Sequence, residues 1–398
     1  MISYLKTKFQ NENAFKYTLF LFVFIAVAIS LIQYFAGDKF FWDNYYTHYN
    51  NFVIFKNSFK HLIDNENLYA AYPKEYGDYY KYSPAFALFM SLFYYLPDWL
   101  GLIFWNLLNS LVLFFSIKNL PGLNKLSKFF ILFFIQFELI TTLQNSQSNA
   151  LIAGLIIFSF VNFEKKNYFI GCFCIMLCFY IKIIGLVVCS LVLLYPKKNK
   201  FILYTIFWGL IFALLPLAVI NPTDLFEQYK NWLLLINRDS LQSYGISIFG
   251  IINSWFQIEL SKPLILITGA ILFCTPFLRR NLYKEYYYRL LFLTSILLWI
   301  VIFNHKGESP TYIIALTGCG IWYIVEKKSL VNNLLIVLAF ILISLSPTDL
   351  FPKYLRENYV IPLILKALPA ILIWFKLIYD MNFNKHNEFN LLNFSKKN

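Results

Sequence analysis

A polar, tyrosine-rich stretch follows the first long apolar run of the chain. Residues 41–51 read FWDNYYTHYNN, and the apolar run before them ends near Ala36. A carboxylate at a membrane surface can take a proton from an acceptor hydroxyl group, so Asp43 is a candidate general base. Tyrosine and asparagine side chains stack on sugar rings and bond sugar hydroxyls, which makes Tyr45 a candidate substrate ligand. The alternatives are a solvated loop carboxylate and an interfacial aromatic belt.

A second tyrosine-rich run, from Tyr76 to Tyr82, closes the same loop with the sequence KYSP. Pro84 suits the first turn of a helix that enters the membrane. We therefore expect Tyr82 at the outer rim of the bundle, facing Asp43 across the loop, as a second substrate ligand.

Polar residues inside or between apolar segments are costly in a bilayer and indicate function. The turn QNSQSN at 144–149 supplies Gln147 and Asn149 as candidate substrate ligands. Lys182, in FYIKIIG, is either a cation for a lipid phosphate or a lysine that snorkels to the interface. Glu138 is either a proton-relay residue or a hydrogen-bonding group in helix packing.

The last polar cluster is NHKGESP at 304–310, a tight connection between two apolar segments. It places His305 beside a lysine and Glu308, directly before a helix that begins at Ser309 and Pro310. Because helix N-termini favour anions, this connection is a candidate phosphate pocket.

The composition predicts a polytopic, all-α membrane protein. The chain has 398 residues, of which 59% are hydrophobic, 21% aromatic and only 14% charged. Many of its apolar runs approach the length that a helix needs to cross about 30 Å of hydrocarbon. The net charge of +13 then indicates basic cytoplasmic loops, and we expect no nucleic-acid partner. The six cysteines lie in apolar segments, without spacing for a metal site or disulfides, and no Gly-rich nucleotide-binding loop is present.

The distribution of lysine and arginine predicts that the long loops face outward and that both termini are inside. The short loops, such as 118–128 and 279–289, are basic, whereas the long loops 37–83 and 221–262 carry mixed charge. The first apolar run is long for a signal peptide and has no small-residue cleavage site, so we expect it to be retained. About twelve crossings are predicted, at 17–36, 84–117, 129–144, 146–163, 168–182, 183–195, 200–220, 263–278, 287–303, 310–325, 329–346 and 361–379.

Two regions leave the order of crossings open. Residues 84–117, with Pro97 in the middle, form one long kinked crossing or two helices. Residues 168–195 form a short hairpin or one kinked helix. Taking the first as two helices and the second as one also gives twelve crossings but places two basic loops outside, so we favour one crossing in 84–117 and a hairpin in 168–195.

Both long outer loops contain amphipathic segments. Apolar residues in 49–63 recur at helical spacing, which predicts an interfacial helix. The second loop begins with Asn221 and Pro222, an N-cap followed by proline at the first helical position. We treat the chain as one membrane domain with three parts: the first helix and catalytic outer loop (17–83), the bundle (84–346), and a last loop, helix and cytoplasmic tail (347–398).

The chain resembles glycosyltransferase family 87 from about residue 17 to residue 345. The features that carry the resemblance are the acidic residue after the first helix, the segment ending Tyr82-Ser83-Pro84, Pro97, the Gln147-Ser148-Asn149 turn, Lys182 in IKIIG and the late histidine loop. Members include polyprenyl-phosphate-mannose-dependent mannosyltransferases with a GT-C fold. The resemblance implies inverting, metal-independent and cofactor-free transfer of a hexose from a polyprenyl-phosphate carrier to an extracytoplasmic lipid or glycan acceptor.

Carried onto this sequence, the resemblance places Asp43 at the catalytic-base position and His305 near the donor phosphate, with Lys182 or Arg238 assisting. It implies that Asp43 deprotonates an acceptor hydroxyl, which attacks the anomeric carbon of a β-linked donor and gives an α product. Gly185 stands where the family often has proline three residues after the lysine, Ser146 replaces a frequent glycine, and NHKGESPTY differs from the commoner tryptophan-histidine form.

Two other function classes remain open at this stage. A transporter or flippase for a lipid-linked or small polar solute would use Glu138 and Lys182 as an ion path, although no internal repeat is evident. A ligase or polymerase of lipid-linked glycans would share the outer-face chemistry. The richness in Asn, Lys, Ile, Phe and Tyr indicates an AT-rich bacterial genome and hence a multi-pass protein of the bacterial inner membrane.

Overall fold

The computed structural model describes residues 12–41, 43–240, 244–258 and 261–383. Apart from one small hairpin, the regular structure in these residues is helical, as predicted for an all-α membrane protein. The first half contains α1 (Glu12–Phe35), β1 (Asp38–Phe41), β2 (Asn44–Thr47), α2 (Asn50–Ile63), α3 (Pro84–Phe89), α4 (Ser91–Tyr94), α5 (Asp98–Lys118), α6 (Lys125–Phe134), α7 (Gln136–Gln144), α8 (Asn149–Glu164) and α9 (Tyr168–Ile181).

The second half continues the bundle with α-helices and short 3₁₀ or π segments. Its 3₁₀ segments are Ile183–Leu194, Leu215–Ala218, Thr275–Leu278, Arg280–Leu282 and Ser309–Thr311, and its π segments are Phe340–Leu345 and Arg356–Val360. Its α-helices are α10 (Lys198–Leu214), α11 (Pro222–Ser240), α12 (Ile248–Phe256), α13 (Lys262–Cys274), α14 (Tyr286–Ile302), α15 (Tyr312–Val325), α16 (Leu330–Ala339), α17 (Lys353–Leu355) and α18 (Leu368–Phe383).

Three helical spans in the described residues are long and apolar enough to cross a membrane on their own: Asn13–Phe35, Asp98–Lys118 and Lys198–Ala218. The bent pair α6 and α7 makes a fourth if it is one span, and eight further apolar helices have 10–17 residues. The chain is thus a helical membrane protein, while the count of twelve crossings stays a prediction.

The first long loop, between α1 and α3, is built on the predicted amphipathic helix. α2 coincides closely with the predicted 49–63 and buries Phe52, Phe55, Phe59 and Leu62 on one face. Burying such a stripe supplies most of the stability of a short helix. The sequence did not predict the antiparallel pair of β1 and β2, which lies between α1 and α2.

Residues 84–117 form a short helical pair followed by one long helix. Ser83 caps α3 by accepting a hydrogen bond from the backbone N–H of Phe86, and Pro84 takes the first turn as predicted. α3 and α4 together run for only about 16 Å. Lys56 of α2 donates to the backbone carbonyl of Leu96 and to Oδ1 of Asp98, at 2.9 and 2.6 Å. Phe55 of α2 packs against Phe86 of α3, with ring centres 5.5 Å apart. Both ends of the short pair therefore lie beside α2, and in this region α5 is the helix that is long and apolar enough to cross a membrane on its own.

Residues 168–195 form the predicted hairpin. α9 ends at Ile181, Lys182 has extended backbone dihedral angles (φ −138°, ψ 129°), and the 3₁₀ segment Ile183–Leu194 follows. Tyr168 and Leu194, at the two ends, line the same cavity, so the chain reverses at Lys182. Gly185 allows this close return, because a Cβ there would lie 2.5 Å from the backbone nitrogen of Phe179.

The second long loop, after α10, packs onto the first. Asn221 caps α11 through a hydrogen bond from the backbone N–H of Asp224, as the sequence predicted. Gln228 of α11 donates to the carbonyl of Glu66 at 2.7 Å and accepts from the N–H of Leu68 at 3.1 Å. These contacts join the two long loops into one layer over the same end of the bundle.

Candidate active site

A cavity of about 220 Å³ lies where the two long loops meet the helix ends. It is lined by residues from α2, the tyrosine-rich run, the turn before α8, the reversal between α9 and the 3₁₀ segment, and the connection after α14. Five of the predicted site residues line it, although they come from four distant parts of the sequence: Tyr82, Gln147, Lys182, His305 and Glu308. The predicted residue Asn149 lies directly behind this lining.

A chain of hydrogen bonds joins these residues. Lys182 Nζ donates to Asn149 Oδ1 at 2.8 Å, and Asn149 Nδ2 donates to Gln147 Oε1 at 2.5 Å. Gln147 Nε2 in turn donates to Glu308 Oε2 at 2.5 Å. Asn149 is fully buried and Gln147 nearly so, which fixes the position of the ammonium group. The break in helical structure at Lys182 places this cation at the cavity, where its Nζ lies 5.8 Å from the centre of the Tyr82 ring.

Tyr82 forms an aromatic wall of the cavity. Its ring centre lies 4.8 Å from that of Phe55 and 5.0 Å from that of Phe86. Burial raises the pKa of its phenol well above the ordinary value of 10.0. Tyr82 therefore stays protonated at neutral pH and presents a ring face with a neutral hydroxyl group, as a sugar-binding tyrosine would.

The connection 304–308 is held by a second segment of the chain. The N–H of Ile246 donates to the carbonyl of Gly307 at 2.7 Å, and Tyr312 Oη donates to the carbonyl of Ile246 at 3.0 Å. Gly245 has a φ of 58°, and a Cβ there would lie 2.7 Å from the carbonyl oxygen of His305. This packing supports His305 and Lys306 where they line the cavity.

Two carboxylates line the cavity, Asp78 and Glu308. Glu308 accepts from Gln147 and caps the 3₁₀ turn Ser309–Thr311, so it is held by structural bonds. Asp78 has a φ of 95°, a conformation that is strained for a residue other than glycine. Its Oδ1 accepts from the N–H of Tyr79 at 2.7 Å and its Oδ2 pairs with Lys81 at 2.8 Å. Asp78 lies in the tyrosine-rich run, but nothing in the sequence distinguished it from other loop carboxylates.

Besides Asn149, three predicted site residues lie outside the cavity lining. Asp43 is exposed in the turn between β1 and β2, with a φ of 60°. Tyr45 of β2 is 72% exposed and its ring packs against Phe40. Arg238 is exposed in the last turn of α11, whereas Ile236 of the same turn lines the cavity. Tyr82 lines the cavity, and this arrangement does not place Asp43 opposite it.

An apolar cavity of about 250 Å³ lies beside the polar one, between α3, α4, α9 and α10. Ile181 lines it and directly precedes Lys182, and Phe86 lines it and packs on Tyr82. Ser83 Oγ donates to the carbonyl of Tyr180 at 2.5 Å, which holds the two elements together. The cationic site thus adjoins an apolar groove, a combination that fits an amphiphilic phosphate.

Glu138 has a partner that the sequence did not predict. Lys366 Nζ lies 3.0 Å from both carboxylate oxygens of Glu138 and donates to Ser309 Oγ at 2.6 Å. Both ionic side chains are buried, and Ser309 directly follows Glu308 of the cavity. Lys366 was overlooked because it stands in an apolar segment 228 residues away from Glu138. This pairing favours the second interpretation of Glu138, a hydrogen-bonding group in helix packing.

Comparison with known proteins identifies the family of this chain. The family model for glycosyltransferase family 87 matches residues 80–303, more than half of the chain. The match includes Tyr82, Gln147, Asn149 and Lys182, and it ends two residues before His305. No curated protein matches this sequence. The chain therefore belongs to glycosyltransferase family 87: it is a glycosyltransferase built as a helical membrane protein.

Proposed function

We propose that this member of glycosyltransferase family 87 transfers a hexose, with mannose the first candidate, from a polyprenyl-phosphate carrier to a lipid or glycan acceptor outside the cytoplasm. The observation that carries the proposal is the contact between a cationic cavity and an apolar groove. A lipid phosphate needs both, because its charged group must be paired while its chain stays out of water. A nucleotide-sugar donor would need only the cationic cavity.

In this proposal Lys182, His305 and Lys306 receive the donor phosphate, and the first isoprene units lie in the groove beside Ile181 and Phe86. Preorganised cations are most useful where charge develops, and here that is the phosphate released as the glycosidic bond breaks. The volume of about 220 Å³ is below the usual range of about 300–1,000 Å³ for drug-sized ligands, so it favours a single sugar ring over a larger donor head group. Tyr82 and Gln147 are proposed to hold that ring.

Two carboxylates are proposed for the general base. Asp43 is the base that the family resemblance implies, but it would have to move with the β1–β2 hairpin to reach the cavity. Asp78 already lines the cavity beside Tyr82, and its backbone strain is typical of functional sites. A general base contributes about 10²–10⁴-fold to the rate, so replacing the true base should be severe without unfolding the protein.

The test is transfer of radiolabelled mannose from synthetic polyprenyl-phosphate-mannose to a membrane-lipid extract. Purified wild type is compared with Asp43→Asn, Asp78→Asn and Glu308→Gln, with Asp64→Asn as an exposed control in the same outer loop. We expect one of the two aspartate variants to lose at least 10²-fold and the control to retain full rate. Full activity in both Asp43→Asn and Asp78→Asn would refute a carboxylate base at either position.

The groove is tested separately from the base. Leu177→Trp would fill the groove, whereas Leu186→Trp is a matched control at an exposed apolar position outside it. We expect Leu177→Trp to raise KM for a long-chain donor and to affect a short-chain analogue much less. Equal KM values for both chain lengths in both variants would show that the groove does not hold the carrier.

The proposed location is the bacterial inner membrane with the cavity on the extracytoplasmic side. Its support is the arrangement of charge, because the basic loops around 165–166, 197–200 and 279–289 lie at the end of the bundle opposite the cavity. Placing a cysteine at the exposed position Asp64 in a background without native cysteines tests this orientation. Labelling of intact cells by an impermeant maleimide is the expected result.

A further inference from the structure

A second and larger cavity, of about 770 Å³, lies at the other end of the bundle. Three segments run from one cavity to the other: α8, the 3₁₀ segment Ile183–Leu194 and α14. The 16 residues of α8 alone separate the Asn149 end from Glu164 at the second cavity by about 24 Å. This is close to the thickness of the hydrocarbon layer, about 30 Å, so the second cavity lies at the opposite membrane boundary.

The second cavity is strongly basic. Four exposed cationic residues line it, each without an ion pair among the described residues: Lys166, Lys198, Arg280 and Lys284. Glu164 is the sole carboxylate among the described lining residues, and Arg289 neutralises it through two hydrogen bonds of 2.6 and 2.8 Å. Tyr195 also donates to Glu164 at 2.5 Å, so this carboxylate is not available to the other cations.

The same cavity has an apolar part. Leu193, Pro196 and Phe277 line it beside the lysines and arginines. Cations next to apolar side chains at a membrane boundary match a ligand with a phosphate and hydrocarbon chains. A small soluble phosphate would need only the cations.

We propose that this basic cavity binds the phosphate headgroup of an anionic phospholipid from the adjacent leaflet, the cytoplasmic one in the proposed topology. Basic pockets between membrane helices on that side bind such headgroups through about 1 kcal/mol per lysine or arginine, which corresponds to about a fivefold change in affinity for each cation. The bound lipid would contact both ends of the hairpin 168–195, whose turn carries Lys182.

The experiment titrates the purified full-length protein in neutral detergent with phosphatidylglycerol and counts retained lipid by native mass spectrometry. Phosphatidylcholine serves as the neutral lipid and glycerol 3-phosphate as the soluble phosphate. No glycosyl donor is present, so the outcome does not depend on the proposed enzymatic activity. Thermal unfolding of each variant checks that it is folded.

Lys198→Gln/Arg280→Gln is compared with Lys118→Gln/Lys327→Gln, which removes the same charge from exposed lysines outside the cavity. We expect about a 25-fold loss of phosphatidylglycerol affinity in the first variant and less than a twofold change in the second. If the first variant does not fold, Lys284→Gln should still show about a fivefold loss.

Three results would overturn the proposal: an equal loss in both double variants, equal retention of phosphatidylcholine and phosphatidylglycerol, or displacement of phosphatidylglycerol by glycerol 3-phosphate. The first would indicate diffuse surface charge. The last would indicate a site for a soluble anion.

Discussion

Replacing Lys366 by methionine should strongly destabilise the protein, because it leaves the carboxylate of Glu138 buried without its cation. Glu138 is fully buried, Lys366 is 5% exposed, and their charged atoms are 3.0 Å apart. Removing one partner of a buried ion pair costs about 3–5 kcal/mol. This corresponds to a decrease of roughly 10²–10⁴-fold in the ratio of folded to unfolded protein.

The structure also predicts how this loss can be reversed. In Glu138→Leu/Lys366→Met neither charge remains, and replacing a buried pair with apolar residues is often neutral or stabilising. We therefore expect the double variant to recover most of the stability, less about 1 kcal/mol for the hydrogen bond from Lys366 to Ser309. Lys353→Met is the control, because its ion pair with Glu357 is exposed and long, at 3.8 Å.

Thermal unfolding in detergent measures these differences. At about 2–4 °C per kcal/mol for domains of a few hundred residues, Lys366→Met should lower the midpoint by on the order of 10 °C, and Lys353→Met by less than about 2 °C. The reasoning fails if Lys366→Met unfolds at the same temperature as Lys353→Met, or if the double variant is as unstable as Lys366→Met. Because Ser309 adjoins Glu308, Lys366→Met should also lower the transfer rate at temperatures where it is folded.

Three further predictions concern the end of the bundle that carries the two long loops. Asn149→Ala removes the hydrogen-bond acceptor of Lys182, and leaving a buried polar group unpaired costs about 1–3 kcal/mol. The transfer rate should therefore fall about tenfold or more, while the elution volume in size-exclusion chromatography stays unchanged. Gly245→Ala should lower the transfer rate, because the added Cβ would displace the carbonyl of His305. Gly37→Ala is the kinetic control: Gly37 also has a positive φ, but the space around it is open. Burial lowers the pKa of His61 below 6.5, although the carboxylates of Glu75 and Glu66 oppose this. As the pH falls, His61 therefore takes up a proton in the unfolded chain before it does so in the folded protein, and stability should fall as the pH drops through about 6.5. In thermal unfolding scans, His61→Gln should flatten that dependence on pH.

Local patterns predicted much of the fold. The amphipathic stripe predicted α2 nearly to the residue, and Pro84 and the Asn221–Pro222 pair predicted the starts of α3 and α11. These features depend on residues within a few positions of each other, so they can be predicted from local sequence patterns. The β1–β2 hairpin was missed because its strands have four residues each and lack a glycine turn signal.

The site was predictable only in part, because its members come from segments far apart in the chain. Polar residues in apolar surroundings identified Gln147, Asn149 and Lys182, since burying such groups without a role is costly. The same reasoning would have singled out Lys366 as a lysine in an apolar segment. No local pattern, however, indicates that it pairs with Glu138. Asp78 is a loop carboxylate whose strained φ depends on tertiary contacts, so sequence patterns did not single it out.

The pairing of Glu138 with Lys366 has a consequence for biosynthesis. The lysine is made 228 residues after the glutamate, and at about 5–20 residues per second the ribosome needs roughly 10–45 s to reach it. During that time Glu138 of α7 lacks the cation that later neutralises it, and an unpaired charge in an apolar segment is costly in a bilayer. Insertion of the C-terminal segment that carries Lys366 therefore completes the bundle, and chains truncated before it should be recognised and degraded by membrane quality control.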